Sequence, residues 1–264
     1  RYKAVNWGRS VGSNQDMESR SHDARISRDC TTLGAAFLSA AVGNRAIFRV
    51  DGAEKEQCLS YGELKARAYV IAGQLAAAGA TPGQSVILIT EDPIAFAGGF
   101  WACALGGFVA VPLPPMENQA QRERVTGAVA VLGQPWLISD GAIERADESG
   151  AGLRDHFVLQ APNFERISDV PDGPEPTPEI TAGDVAVIQF SSGTTGQPKG
   201  VQLSHAMVLA NVRAMSDRIG LTDDDKMVNW MPLSHDFGLF HFHILPLLAG
   251  IDQVLMTPAT FVRK

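Results

Sequence analysis

The run Val86-Ile87-Leu88-Ile89 constrains the fold more than any other stretch of the chain. A strand with one face in water alternates apolar and polar residues, whereas an uninterrupted apolar run requires cover on both faces, the pattern of a parallel sheet between helices. The flanking segments supply those helices. Ser60 and Glu63, three residues apart, predict a capping box, and Leu64, Ala68, Ile71 and Leu75 recur behind them at helical spacing until Gly79 and Pro82 stop the helix. A second helical segment from Ile94 to Leu105 leads into a strand at Val109-Ala110-Val111-Pro112. Strand, helix, strand implies an α/β fold with mixed sheets covered by helices.

Order is expected from Leu33, Phe37 and Leu38, followed by a half-buried strand over residues 45–50. Residues 1–29 lack a sustained apolar period and read as a flexible lead-in. Between Asp140 and Gly183 the composition turns to Asp, Glu, Gly and Pro, most densely at residues 170–178, where prolines forbid regular structure. A subdomain boundary is therefore expected there, with a first α/β unit over 30–180 and the start of a second over 181–264. In that second unit the spacing predicts a strand from Val185 to Phe190, a helix after Ser204 ending at Gly220, and a strand from Met227 to Met231. A helical segment from Leu239 and a strand from Val254 to Met256 follow.

The predicted strand ending at Phe190 runs straight into Ser191-Ser192-Gly193-Thr194-Thr195-Gly196-Gln197-Pro198-Lys199-Gly200. Glycines let backbone N–H groups converge, four hydroxyls donate further bonds and Lys199 adds a point charge, a set that suits an oligophosphate. Lys199 follows Pro198 and precedes Gly200, so the loop is not of the Gly-Lys-Ser/Thr type. A net charge of −7 without a Lys/Arg run argues against nucleic acid as a partner. Cys30, Cys58 and Cys103 are odd in number and form no CxxC pair, so neither a disulfide framework nor a zinc cluster is expected. No apolar run approaches a membrane span and no apolar signal core stands at the N-terminus, so a cytoplasmic protein without a membrane partner is expected.

The ten-residue loop resembles the signature phosphate loop of the adenylate-forming superfamily, which includes acyl-CoA synthetases, luciferases, fatty acyl-AMP ligases and peptide-synthetase adenylation domains. Leu59-Ser60-Tyr61-Gly62-Glu63-Leu64, residues 104–112 and Trp230-Met231-Pro232-Leu233-Ser234-His235-Asp236-Phe237-Gly238-Leu239 resemble further stretches of that family in the same order. The resemblance implies the N-terminal portion of the adenylate-forming fold and an ATP-dependent activation of a carboxylic acid to acyl-AMP. It assigns Ser191, Ser192, Gly193, Thr194, Thr195, Gly196 and Lys199 to ATP, with Thr195 beside Mg2+, and His235, Asp236, Phe237, Gly238 and Leu239 to the acid. Lys199 and His235 take the catalytic roles.

The His-Asp-Phe-Gly-Leu string, the Val-Pro-Leu-Pro-Pro ending of the second stretch and Leu255-Met256-Thr257-Pro258-Ala259-Thr260-Phe261 look most like fatty acyl-AMP ligases and loading domains. That branch implies transfer of the acyl group to the phosphopantetheine thiol of an acyl or peptidyl carrier protein. Asp236 also matches a position at which amino-acid-activating relatives pair a substrate ammonium, so an amino acid substrate, a CoA acceptor and a noncatalytic fragment stay open. Phe237, Leu239, Phe240, Phe242, Ile244 and Leu245 suit a pocket wall or plain core equally. His241 and His243 fall on different helical faces and suggest packing or exposure rather than a metal site. Against the family pattern the chain reaches only about halfway. The downstream adenine and ribose motifs, the hinge and the C-terminal lid lie beyond Lys264, and the chain alone is not expected to be a competent ligase.

Overall fold

The computed structural model describes residues 26–50, 56–140, 158–160, 178–191 and 199–263. In chain order the elements are α1 (Leu33–Ala40), β1 (Ala46–Val50), β2 (Glu56–Ser60), α2 (Tyr61–Ala77), β3 (Ser85–Ile89), α3 (Pro93–Gly106), β4 (Val109–Pro112), α4 (Gln119–Leu132) and β5 (Trp136–Ser139). They continue with β6 (Val158–Gln160), β7 (Val185–Ser191), β8 (Lys199–Ser204), α5 (His205–Ile219), β9 (Lys226–Asn229), a π-helical segment (Phe237–Ile244), α6 (Leu245–Leu248), β10 (Asp252–Met256) and α7 (Pro258–Arg263).

The strands form two mixed sheets, ordered β2-β1-β10-β9 and β6-β5-β3-β4-β7-β8. In the larger, β3 lies parallel between β4 and β5, and β7 joins β4 in parallel before turning back antiparallel into β8. In the smaller, β1 is parallel to β10 and β10 to β9, with β2 antiparallel at the edge. Each sheet takes strands from both sides of residue 180, so the expected partition there is not the partition of the sheets. The physical reason is the pairing itself, since β1 finds its parallel partner in β10, about 200 residues onward. Packing also starts ahead of the expected position. Ile26 is buried in the main core, and Arg213 donates to the backbone carbonyls of Ser27 and Cys30.

The apolar run of β3 behaves as its composition requires. Val86 and Leu88 enter the main core, whereas Ile87 and Ile89 enter a second core that Val125 and Ala128 of α4 help to close. The main core joins the two sheets through Ile47, Leu59 and Leu255 on one side and Ala110 and Val187 on the other, with α1, α2, α3, α5 and α6 between them. Helix α3 reaches the larger sheet closely because Gly99 has no side chain. A Cβ there would sit 3.1 Å from Leu88 and 3.3 Å from Ile138. The expected capping box of α2 is present, with Glu63 N–H donating to Ser60 Oγ at 3.1 Å and Ser60 N–H to Glu63 Oε2 at 2.6 Å. No described helix is long and apolar enough to cross a membrane.

Candidate active site

β7 and β8 form an antiparallel hairpin whose last registered pair is Ser191 with Lys199. Of the sequence motif, Ser191 ends β7, and Lys199 starts β8 rather than sitting within a loop. Lys199 is exposed. Ser192, Gly193, Thr194, Thr195 and Gly196 lie outside the described residues, as does the Mg2+ role expected of Thr195. The hydroxyl, N–H and ammonium donors of this stretch fit a polyanion. Among the described residues no group of three or more His, Cys, Asp or Glu side chains is placed to hold a metal ion.

The second half of the site is built on β9 and the turn that follows it. Asn229 is buried and holds the turn through its side chain: Met231 N–H donates to Asn229 Oδ1 at 2.8 Å, and Asn229 Nδ2 donates to the Met231 carbonyl at 3.1 Å. The chain then folds back at residues 232–235, where His235 N–H donates to the Pro232 carbonyl at 3.0 Å. Gly238 makes this turn possible. A Cβ at that position would lie 2.4 Å from the Pro232 carbonyl oxygen, closer than real contacts allow.

His235 and Asp236 open the π-helical segment, both well exposed, with His235 Nδ1 2.7 Å from Asp236 Oδ1. Asp236 Oδ1 also accepts from Phe237 N–H at 2.6 Å, as an N-terminal cap does. Phe237 N–H also donates toward His235 Nδ1 at 3.2 Å, so Nδ1 is engaged by both Asp236 and the backbone, and Nε2 is the ring nitrogen outside these contacts.

The two halves are tied together by Gln189 of β7, which donates from Nε2 to the Ser234 carbonyl at 3.0 Å. That bond joins β7, which precedes the Ser191–Gly200 sequence, to the turn carrying His235. The Oε1 of Gln189 is buried without a partner.

Beside the turn lies a cleft of about 390 Å³. Leu203 of β8 and Met207, Val208 and Asn211 of α5 form one wall, and Asp236, Phe237, Phe240 and His241 of the π-helical segment the other. The structure therefore brings Asp236 and Phe237 to the cleft but turns Gly238 and Leu239 inward, where Leu239 is fully buried in the main core. Those two support the wall from behind. Sequence reasoning missed the α5 wall, although the spacing of Met207, Val208 and Asn211 on a helix that starts right after the loop carries the signal. A second cleft of about 440 Å³ sits at the C-terminal ends of β3, β9 and β10, with Thr90, Asn229, Ser234 and Met256 among its lining residues. This is where open α/β sheets bind ligands.

The frame is an α/β fold of two mixed sheets with a cleft beside the turn that carries His235. The chain belongs to the AMP-binding enzyme family, whose model matches residues 39–264. It is 32% identical to a putative acyl-CoA synthetase of Caulobacter vibrioides over 89% of this chain and 42% of that protein. It is 27% identical to a medium-chain-fatty-acid–[acyl-carrier-protein] ligase of Moorena producens over 82% of this chain and 37% of that one. A structure from a study of fatty acyl-adenylate ligases of E. coli and L. pneumophila matches with a TM-score of 0.77 and 28% identity, covering 89% of this chain and 43% of the other. The chain thus spans less than half the length of these relatives. The mixed-sheet α/β fold and the family expected from the motifs agree with these matches.

Proposed function

We propose that this chain carries the phosphate-binding and acid-binding parts of an ATP-dependent ligase that activates a carboxylic acid, in the favoured reading a fatty acid, as its acyl-adenylate. The observation that carries the reading is the Gln189–Ser234 bond, which sets the hairpin with the phosphate-loop sequence beside an apolar-walled cleft. A carboxylate oxygen attacks the α-phosphorus of ATP while the bond to pyrophosphate breaks, so acyl-AMP and pyrophosphate are the products. The loop N–H groups and hydroxyls and Lys199 hold the departing pyrophosphate, and positioning with charge stabilisation supplies most of the rate. His235 orients the carboxylate from its Nε2 edge when that nitrogen carries a proton, and Phe237 and Phe240 receive the hydrocarbon. Thr195 accompanies the Mg2+ of MgATP, and no step here depends on it.

The phosphopantetheine thiol of a carrier protein in the cytoplasm then attacks the acyl carbonyl of acyl-AMP, giving the thioester and releasing AMP. The likeness to a carrier-protein ligase supports this acceptor, and the likeness to a putative acyl-CoA synthetase supports CoA as the alternative. A second reading, an amino acid substrate, is favoured by Asp236 alone, whose exposed carboxylate lines the cleft and can pair an ammonium group.

The cleft assignment is tested by Met207→Trp in the full-length protein, with acyl-AMP followed by mass spectrometry across fatty acids of increasing length. Met207 is largely exposed, so the change fills the cleft without disturbing the core. The preferred acid should shorten while the KM for ATP stays put; an unaltered chain-length profile would place the acid elsewhere.

A further inference from the structure

Behind the cleft wall runs a chain of hydrogen bonds wholly inside the protein. Trp101 of α3 donates from Nε1 to His243 Nε2 at 3.0 Å, which fixes the other ring nitrogen as the proton carrier. His243 Nδ1 lies 2.9 Å from Gln253 Oε1 and donates to it. Gln253 of β10 donates from Nε2 to the Tyr61 hydroxyl at 2.9 Å, and that hydroxyl donates to the Ile251 carbonyl at 2.5 Å. Trp101, His243, Gln253 and Tyr61 are all fully buried. Every donor meets an acceptor in one direction, so the chain has a single consistent arrangement that ties together α2, α3, β10 and the π-helical segment.

The π-helical segment is the unusual member. Leu245 N–H reaches back five residues to the Phe240 carbonyl, a spacing rare in proteins and common at functional sites. Pro246, which lacks an N–H, removes one bond that would favour the ordinary helical register. The same eight residues present Phe237, Phe240 and His241 to the cleft and His243 to the core. A change of register by one residue would rotate the wall by about 100° for the same backbone position.

We propose that His243 is a positioning residue for the acid: held between Trp101 and Gln253, it locks the register of the π-helical segment and thereby the shape of the Phe237–Phe240–His241 wall. This rests on the reading that the cleft takes the acid. His243 does not touch the substrate and acts through the wall. Burial holds its imidazole down to about 4, so the ring stays neutral and keeps the acceptor that Trp101 requires.

The test uses the full-length protein, with separate KM values for acid and ATP in pyrophosphate exchange and a melting temperature for each variant. His243→Phe keeps an aromatic ring and deletes both nitrogens. It should raise the acid KM about tenfold and flatten selectivity among chain lengths, while the ATP KM stays within about twofold. His243→Gln, which can both accept from Trp101 and donate to Gln253, should recover most of the acid KM. Tyr61→Phe removes only the distant hydroxyl and should give the same acid-specific change at about two- to threefold, so the idea stays testable if His243→Phe does not fold. A folded variant with lower melting temperature and an unchanged acid KM, or with acid and ATP KM rising together, would make the network merely structural and overturn the proposal. Absence of exchange with any acid in the unsubstituted protein would instead overturn the reading of the cleft, and this inference with it.

Discussion

Gly238→Ala is the sharpest structural perturbation of the site. The added methyl would lie 2.4 Å from the Pro232 carbonyl oxygen, 3.1 Å from its carbon and 3.2 Å from Met231 Cβ. Two of the three obstacles are backbone, so no side-chain rotation relieves them, and reaching even 3.0 Å requires the 232–235 turn to move outward by about 0.6 Å. Overpacking of this kind costs about 1–3 kcal/mol. The functional loss should be larger than the stability loss suggests, because the displaced turn carries His235 and the Ser234 carbonyl that Gln189 holds. A misplacement approaching 1 Å costs on the order of a hundredfold in rate. Urea denaturation together with pyrophosphate exchange in the full-length protein measures both. Expected are a drop in stability of about 1–3 kcal/mol and a loss of exchange of at least about tenfold in the folded fraction. Wild-type exchange in a fully folded Gly238→Ala protein would refute the claim that this turn sets the carboxylate end of the site.

Lys199→Ala should depress pyrophosphate exchange by roughly a hundredfold while leaving the melting temperature within a degree or so, because Lys199 is exposed at the start of β8. Asp236→Ala separates the two substrate readings: fatty acids should retain activation, and a selective loss with amino acids would favour the ammonium-pairing alternative. Stability should also fall with pH. His243 titrates near 4 in the folded protein because of burial, and an unfolded histidine near 6.5, so the unfolded state takes up the proton first. That contribution is whole above about pH 6.5 and is lost as pH falls toward 4, at up to about 1.4 kcal/mol per pH unit. His205, also lowered mainly by burial, adds in the same direction. Denaturation midpoints compared near neutral pH and near pH 5 should show a shallower dependence in His243→Gln than in the unsubstituted protein, and equal slopes would contradict the assignment.

Local chemistry was readable from the residues. Ser60 with Glu63 marked the start of α2, and Ser204 with Gly220 bracketed α5, where Ser204 Oγ accepts from Met207 N–H and Gly220 adopts φ 68°. The doubly buried strand at Val86–Ile89 announced the sheet. Three features were not readable. The pairing of β1 with β10 depends on contacts across most of the chain, which no local pattern encodes. Helix α4 was passed over because it buries little beyond Val125 and Ala128, too few apolar positions to show a period. The π-helical register of residues 237–244 leaves no mark in an apolar run, and with it went the distinction between Phe240 at the cleft and Leu239 in the core. Of the site, the Ser191–Gly200 string and the His235-Asp236 pair were legible as motifs. The α5 wall and the Gln189 tether were not, because both depend on β7 and β8 pairing to bring the loop, α5 and the turn together.

The central claim, that phosphate loop and cleft serve one reaction, is tested most directly by acid-dependent ATP–pyrophosphate exchange in the full-length protein with fatty, aryl and amino acids. The account predicts exchange that requires an added acid, is strongest with a fatty acid, and is lost in Lys199→Ala. Exchange with no acid of any class, from folded protein that binds ATP, would contradict it.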